Sequence, residues 1–311
     1  MRIALLLVPL FLPWAAALPA RRLLARSAPV AALWTLTVSA LLLAAGTVAA
    51  LGTLTLTGLL KIPAFAALGE LVHPLRTPSV RLVLPLAALA AGLLALAVLT
   101  LGRSAVRQVA GLRAARSQAR RPAAGDLCVI DSPRPDAYAL PGRPHRIVVT
   151  TAMLRSLDAR ERQVLFAHER AHNTGGHHYF LVAAEVAAHC HPALRPVREA
   201  IRLAAERAAD EAAATVVGDR HLTARAIARA ALAAHTADTA RPAVTPAATS
   251  GPVPQRVAAL LSPPAARSPR AISWVAALLT VCTLLSCTTA ASGALGVHQD
   301  IEIAQGEATG R

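Results

Sequence analysis

The sequence predicts an α-helical membrane protein. Four transmembrane helices are expected, with one mostly helical α+β domain between the third and the fourth. Three observations carry that expectation. The 311 residues are 55% hydrophobic and only 3% aromatic, with a mean hydropathy of +0.48, so a soluble fold could not cover its own apolar side chains. The apolar residues gather into four runs, each about the ~20 residues a bilayer core requires or longer. Arginines cluster beside alternate ends of those runs.

The first run is Ile3 to Ala20, followed by Arg21, Arg22 and Arg26. A cleaved signal peptide would carry its charge before the apolar run. Only Arg2 stands there, so the asymmetry fits an outside-to-inside span better. The second run, Val30 to Leu60, is longer than a bilayer needs, so it tilts or extends beyond the membrane. The third is Leu82 to Leu101 and the fourth Ala271 to about Val297. Arg103, Arg107, Arg113, Arg116, Arg120 and Arg121 follow the third, and Arg267 and Arg270 precede the fourth. With the N-terminus outside, all three arginine clusters fall in the cytoplasm. The connector 61–81 and the acidic tail with Asp300, Glu302 and Glu307 then fall outside. The expected division is 1–124, a membrane part with a basic linker; 125–264, a cytoplasmic domain; and 265–311, the fourth span and tail.

The domain opens with a short strand at Cys128–Ile130. A hairpin follows, 137–140 and 147–150, turning at Pro141-Gly142. The strand 147–150 has two readings: an edge open to an extended substrate, or a plain structural hairpin. A helix starts at Asp158, with Glu161 placed for a capping box, and stops at Gly175-Gly176. Further helices are expected over 178–190, 197–217 (stopped by Gly218) and 222–234, and a Thr/Ala/Pro-rich loop over 236–254. The net charge of +15 lies beside the apolar runs and not on an aromatic-interleaved basic stripe, so no nucleic-acid partner is expected. Cys128, Cys190, Cys282 and Cys287 form no CxxC pair and read as unpaired small hydrophobes.

The chemistry sits in His168-Glu169-Arg170-Ala171-His172. Histidines four apart on a helix share a face, one turn apart, where both reach one Zn²⁺. Glu169 is positioned as general base. For the third ligand, Glu206 on a separate helix gives a His₂Glu set, a gluzincin-like arrangement, with one position open for water. Asp210, one turn further on, can hold the outer ring nitrogen of a histidine ligand. The alternative is His178, because 168–178 reads H-E-x-x-H-x-x-G-x-x-H; no methionine follows it, though, to supply the Met-turn of that class. Glu185 and Glu199 are further candidates that lack a partner like Asp210. His177, His189, His191 and His221 read as structural or as donors to an oxyanion.

Thr151 to His172 resembles the membrane zinc peptidases of the BlaR/MecR sensor type and their relatives, the HtpX-type and CAAX-prenyl peptidases. Those families pair an HExxH helix with a later E-x-x-x-D helix, matched here by Glu206 and Asp210. The sensor type also sets its zinc domain in the cytoplasm between a third and a fourth span. The resemblance implies Zn²⁺, a protein substrate such as a cytoplasmic repressor or a membrane protein, and regulatory proteolysis at the cell membrane. It departs in two places. About 14 residues follow the fourth run, too few for a penicillin-sensor domain. The HtpX type has a His-Pro segment before a final arginine helix; Pro254-Gln255-Arg256-Val257 is similar but lacks the histidine. Arg256 has two readings, a substrate or structural arginine and a solvated helix residue, and the second is expected.

The expected function is a membrane-bound zinc endopeptidase acting on a protein at the cytoplasmic face of the bilayer. The alternative is a catalytically silent signalling or scaffold protein that retains the peptidase fold. A membrane-bound DNA-binding regulator rests on charge alone.

Overall fold

Among the described residues, three helices are long and apolar enough to cross a membrane: Pro29–Leu59, Arg81–Ser117 and Ala277–Gln305. They belong to α2 (Pro29–Leu59), α4 (Val80–Gln118) and α11 (Pro269–Gln305) of a computed structural model that describes residues 2–68, 80–119, 125–235, 252–262 and 269–305. The first apolar run is also helical, as α1 (Arg2–Arg26), with a shorter apolar stretch, Leu5–Ala16. A single short turn of helix, α3 (Pro63–Leu68), follows α2.

These helices pack through small residues. A Cβ on Gly46 would lie 2.4 Å from Ser286 Oγ of α11, and one on Gly58 would lie 2.0 Å from Ala87 Cβ of α4. Such contacts let helix backbones approach where lipid offers no hydrophobic drive for association. Pro13 has no N–H, which leaves the carbonyl of Pro9 without its helical donor. The one hydrogen of the Thr47 hydroxyl of α2 is shared between that carbonyl, at 3.3 Å, and the Leu43 carbonyl of its own helix, at 3.0 Å.

The segment expected to be a basic linker after the third run is helical as far as Gln118; Arg120 and Arg121 lie outside the described residues. α4 continues for 39 residues, about 58 Å at 1.5 Å per residue, roughly twice a hydrocarbon core. Its last turns place Ala115 and Ala119 against Cys128, Tyr138, Leu140 and Val148 of the sheet. Arg116 donates to the carbonyl of Pro141 at 3.2 Å, and Arg146 to that of Ala119. α11 likewise runs on past Val297 to Gln305.

The sheet contains β1 (Leu127–Ile130), β2 (Ala137–Leu140) and β3 (Arg146–Thr150), in the order β1-β3-β2. β2 and β3 form the expected antiparallel hairpin, and β1 adds to β3 in parallel. This corrects the edge-strand reading of 147–150. Both edges of β3 are already paired, so it cannot accept an added substrate strand. Alternation gives each face a different neighbour. Val148 and Tyr138 face α4, while Val149 and Ala137 face Met153, Leu157 and Leu165.

Thr150 ends β3 and caps α5 (Thr151–Ser156), accepting from Met153 N–H. α6 (Ala159–Thr174) begins with the full capping box: Asp158 accepts from Glu161 N–H at 2.9 Å, and Glu161 accepts from Asp158 N–H at 3.0 Å. Then come α7 (His177–Cys190), a 3₁₀ turn (Pro192–Leu194), α8 (Arg195–Val217), α9 (Arg220–His235) and α10 (Val253–Leu261). α8 stops at Gly218, whose φ of 73° is the left-handed cap that glycine adopts without strain.

The α7–α8 pair and the apolar helices share one core, in which Leu23, Leu33 and Leu36 meet Ala187, Leu194 and Ile201. His191 Nε2 lies 3.0 Å from the carbonyl of Leu10, beside the Trp14 ring. Arg207 donates to the carbonyl of Leu24 at 2.5 Å, filling an acceptor in the last turn of α1.

Candidate metal centre

α6 and α8 cross so that His168, His172 and Glu206 converge. One ligating atom from each lies within 4.8 Å of the others. The two imidazole Nε2 atoms are 3.1 Å apart, and each is 3.6 Å from a Glu206 carboxylate oxygen. All three side chains are buried, as is Glu169, which follows His168 on α6. The spacing of four on a capped helix is what brings the two rings to one face.

Outside this set stands a layer of partners. Asp210 Oδ1 lies 3.0 Å from His168 Nδ1, the nitrogen turned away from the site. Arg256 reaches from α10 to both carboxylates. Its Nε donates to Asp210 Oδ2 at 2.8 Å, its Nη2 to Asp210 Oδ1 at 2.6 Å, and its Nη1 lies 3.0 Å from Glu206 Oε2. Arg256 is 0% exposed, which overturns its expected place on a solvated helix face. A guanidinium is tolerated there because two carboxylates satisfy it.

The charges reinforce one another. Burial alone would raise the Glu206 carboxyl, but Arg256 and the two imidazoles hold it well below the ordinary carboxylate range. Burial likewise opposes ionisation of Asp210, and Arg256 outweighs it. Burial would depress the His168 imidazole, yet the Asp210 and Glu206 carboxylates raise it to about 9.

The other sequence candidates fall elsewhere. His178 is half-buried and stacks on Tyr179 with ring centroids 3.9 Å apart, away from the cluster. Its neighbour His177 is the residue that comes in, with Nδ1 2.8 Å from His172 Nδ1. Burial and the adjacent His172 ring pull the His177 imidazole down to about 3. Glu185 pairs with Arg198 and Arg202, and Glu199 with Arg198. His189 lies against the Glu185 carbonyl, and His221 is exposed. Sequence reasoning names both Arg256 and His177 but does not place them at the centre: Arg256 is expected in solvent, and His177 as structural or as an oxyanion donor. For His177 a signal existed in the Gly175-Gly176 break just before it.

Two histidines of one helix and a carboxylate of another, buried and backed by ionised partners, define a metallopeptidase-type centre. The chain belongs to peptidase family M48, whose model matches residues 103–263, from within α4 to just beyond α10. That range holds every residue of the centre, Arg256 included. Searches of curated proteins and of solved structures returned no match.

Proposed function

We propose that the chain is a membrane-bound zinc endopeptidase that hydrolyses peptide bonds of a protein substrate at the cytoplasmic face of the bilayer. The observation that carries this reading is the convergence of His168, His172 and Glu206 beside a buried Glu169. The donor set fits Zn²⁺. A tetrahedral ion with bonds of ~2.0–2.1 Å needs donor atoms ~3.4 Å apart; those here are 3.1 and 3.6 Å apart. Charge points the same way. Three buried carboxylates, Glu169, Glu206 and Asp210, gather at the site with the Arg256 guanidinium, an acidic surplus that suits a divalent cation.

A zinc ion bound there supplies Lewis acidity to water and to the scissile carbonyl. The chain's own residues do the rest. Glu169 takes the proton of the attacking water on its carboxylate and hands it to the nitrogen of the leaving amine. Asp210 fixes the His168 ring through Nδ1, so that Nε2 faces the site. Arg256 keeps Asp210 and Glu206 ionised and in place. Burial keeps bulk water from these groups, which strengthens each interaction.

Three helices long and apolar enough to cross a membrane, in α2, α4 and α11, with α1 read as a fourth span, and the arginines near their domain-proximal ends support the membrane and cytoplasmic parts of the reading. The substrate class is a cytoplasmic repressor or a membrane protein, cleaved for regulation, as the sequence resemblance implies.

The test is zinc content together with cleavage. The detergent-solubilised chain should hold about one zinc per molecule, and His168→Ala or Glu206→Ala should each lower occupancy sharply. Glu169→Gln should keep the metal yet lose roughly 10²–10⁴-fold in cleavage of itself or of unfolded casein. Equal cleavage by wild type and Glu169→Gln would leave the silent scaffold reading standing instead.

A further inference from the structure

We propose that His177 is a positioning residue for the metal ligand His172, the counterpart of Asp210 behind His168. The proposal rests on the zinc-peptidase reading above and assigns one more residue to it. His172 turns Nε2 toward His168 and Glu206. Its other nitrogen, Nδ1, meets His177 Nδ1 at 2.8 Å, with the rings edge-to-face at 85° and their centroids 4.8 Å apart. Two nitrogens at that distance share a single proton. A ligand nitrogen must present its lone pair to the metal, so the proton of the His172 ring belongs on Nδ1. His172 is then the donor and His177 Nδ1 the acceptor. This contact fixes both the tautomer and the tilt of the His172 ring.

The local backbone is built for the contact. α6 ends at Thr174 and α7 begins at His177, so only Gly175 and Gly176 separate them. Gly176 has φ 61°, the left-handed region that turns the chain back on itself. Gly175 has ordinary helical angles but must lack a side chain. A Cβ there would lie 2.6 Å from His177 Nε2 and 2.9 Å from Cδ2, and also 2.9 Å from the Ala171 carbonyl. The pair of glycines thus swings α7 around and leaves room for its first side chain behind His172. His177 itself is 5% exposed. A buried imidazole beside the metal ligands, in space that a glycine keeps open, is otherwise an unfavourable choice at a helix start.

The two ligands are consequently supported unequally. His168 is backed by a carboxylate that Arg256 holds, and His172 by an imidazole. Asn is the substitution that separates a positioning role from bulk, because its Oδ1 falls where His Nδ1 stands.

The experiment measures zinc affinity of the full-length detergent-solubilised protein by competition with a chromogenic chelator. The unfolding temperature of the zinc-free form is followed in parallel. His177→Leu, which retains bulk without an acceptor, is expected to weaken zinc binding about 10–100-fold, as loss of such a partner generally does. His177→Asn is expected to restore binding close to wild type. Gly175→Ala, which displaces the ring without removing a polar atom, should weaken zinc in the same direction. Zinc affinity of His177→Leu equal to wild type overturns the inference while leaving the peptidase reading intact. So does failure of His177→Asn to bind better than His177→Leu when both zinc-free forms unfold at the same temperature. A wild-type chain that binds no zinc at all overturns the reading and the inference together.

Discussion

Arg256 joins two acidic side chains of α8 from a helix that lies 46 residues further along the chain, and it does so without contact with solvent. Taking a guanidinium out of water is expensive, and the return comes only from good geometry with ionised partners. Here both Asp210 oxygens and one Glu206 oxygen supply it. Removing the arginine leaves two carboxylates buried side by side. In the zinc-free protein, Arg256→Met is therefore expected to cost about 3–5 kcal/mol of stability, read as a lower denaturation midpoint. Arg256→Lys keeps the charge but loses the fork and should fall between. An unchanged midpoint for Arg256→Met would show that the pair adds nothing to the fold. The same residue shows the limit of reading a site from sequence. His168, Glu169 and His172 were legible because a helical period alone puts them together, and Glu206 with Asp210 because one turn separates them. Arg256 shows in the sequence only as a match to the HtpX-type arginine helix, and its burial against Asp210 and Glu206 depends on how α10 packs on α8, which no local pattern encodes. His177 depends on a two-residue turn that redirects a helix, and the sequence pattern pointed one residue further, to His178.

At the scale of elements, the legible parts were those with local chemistry. The capping box at Asp158 and Glu161, the glycine stop at Gly218 and the β2–β3 hairpin all follow from neighbouring residues. Glu161 also accepts from Arg229 at 3.0 Å, so the same cap anchors α9 to α6. What local patterning did not supply was β1 in parallel beside β3, a pairing across some 20 residues, and hence the central position of β3. Nor did it show that Arg103, Arg107, Arg113 and Arg116 continue a helix. Scattered Arg suits the solvated surface of a helix as well as a linker, since its intrinsic helix propensity is high. Small residues set the spacing between the long helices, and this can be tested. Gly58 sits where any side chain meets Ala87 of α4. Gly58→Leu should force α2 and α4 apart and lower the thermal stability of the solubilised protein by roughly 1–3 kcal/mol, the usual range for overpacking. Gly52 has nothing within 4 Å of such a Cβ. Gly52→Leu is the matched control and should leave stability near wild type.

At the scale of the whole molecule, two separate cores mark the two ends of the helical bundle. Leu6, Ala50, Leu51, Leu54 and Ala90 pack together at one end. At the other, Ala16, Ala20, Leu23 and Leu24 of α1 and Ala32, Leu36 and Leu43 of α2 join α7 and α8. The domain is thus attached at the end where α1 finishes, α2 begins and α4 leaves for the sheet. Arg22 on α1 and Arg103, Arg107 and Arg113 on α4 are exposed and lie toward that end. The far end carries fewer, Lys61 between α2 and α3 and Arg81 at the start of α4. Positive charge near a span end holds that end in the cytoplasm. The domain and its metal centre are accordingly expected there, with the α2–α3 corner on the opposite face. Single cysteines introduced into a chain freed of its four native ones would check this. Arg134→Cys sits at an exposed position of the domain before β2, and Ile62→Cys at the exposed α2–α3 corner. A membrane-impermeant maleimide applied to intact cells should label Ile62→Cys and spare Arg134→Cys, and both should react once the cells are broken open. Labelling of Arg134→Cys in intact cells would reverse the orientation and place the peptidase site on the outer face. A repressor in the cytoplasm would then be out of its reach.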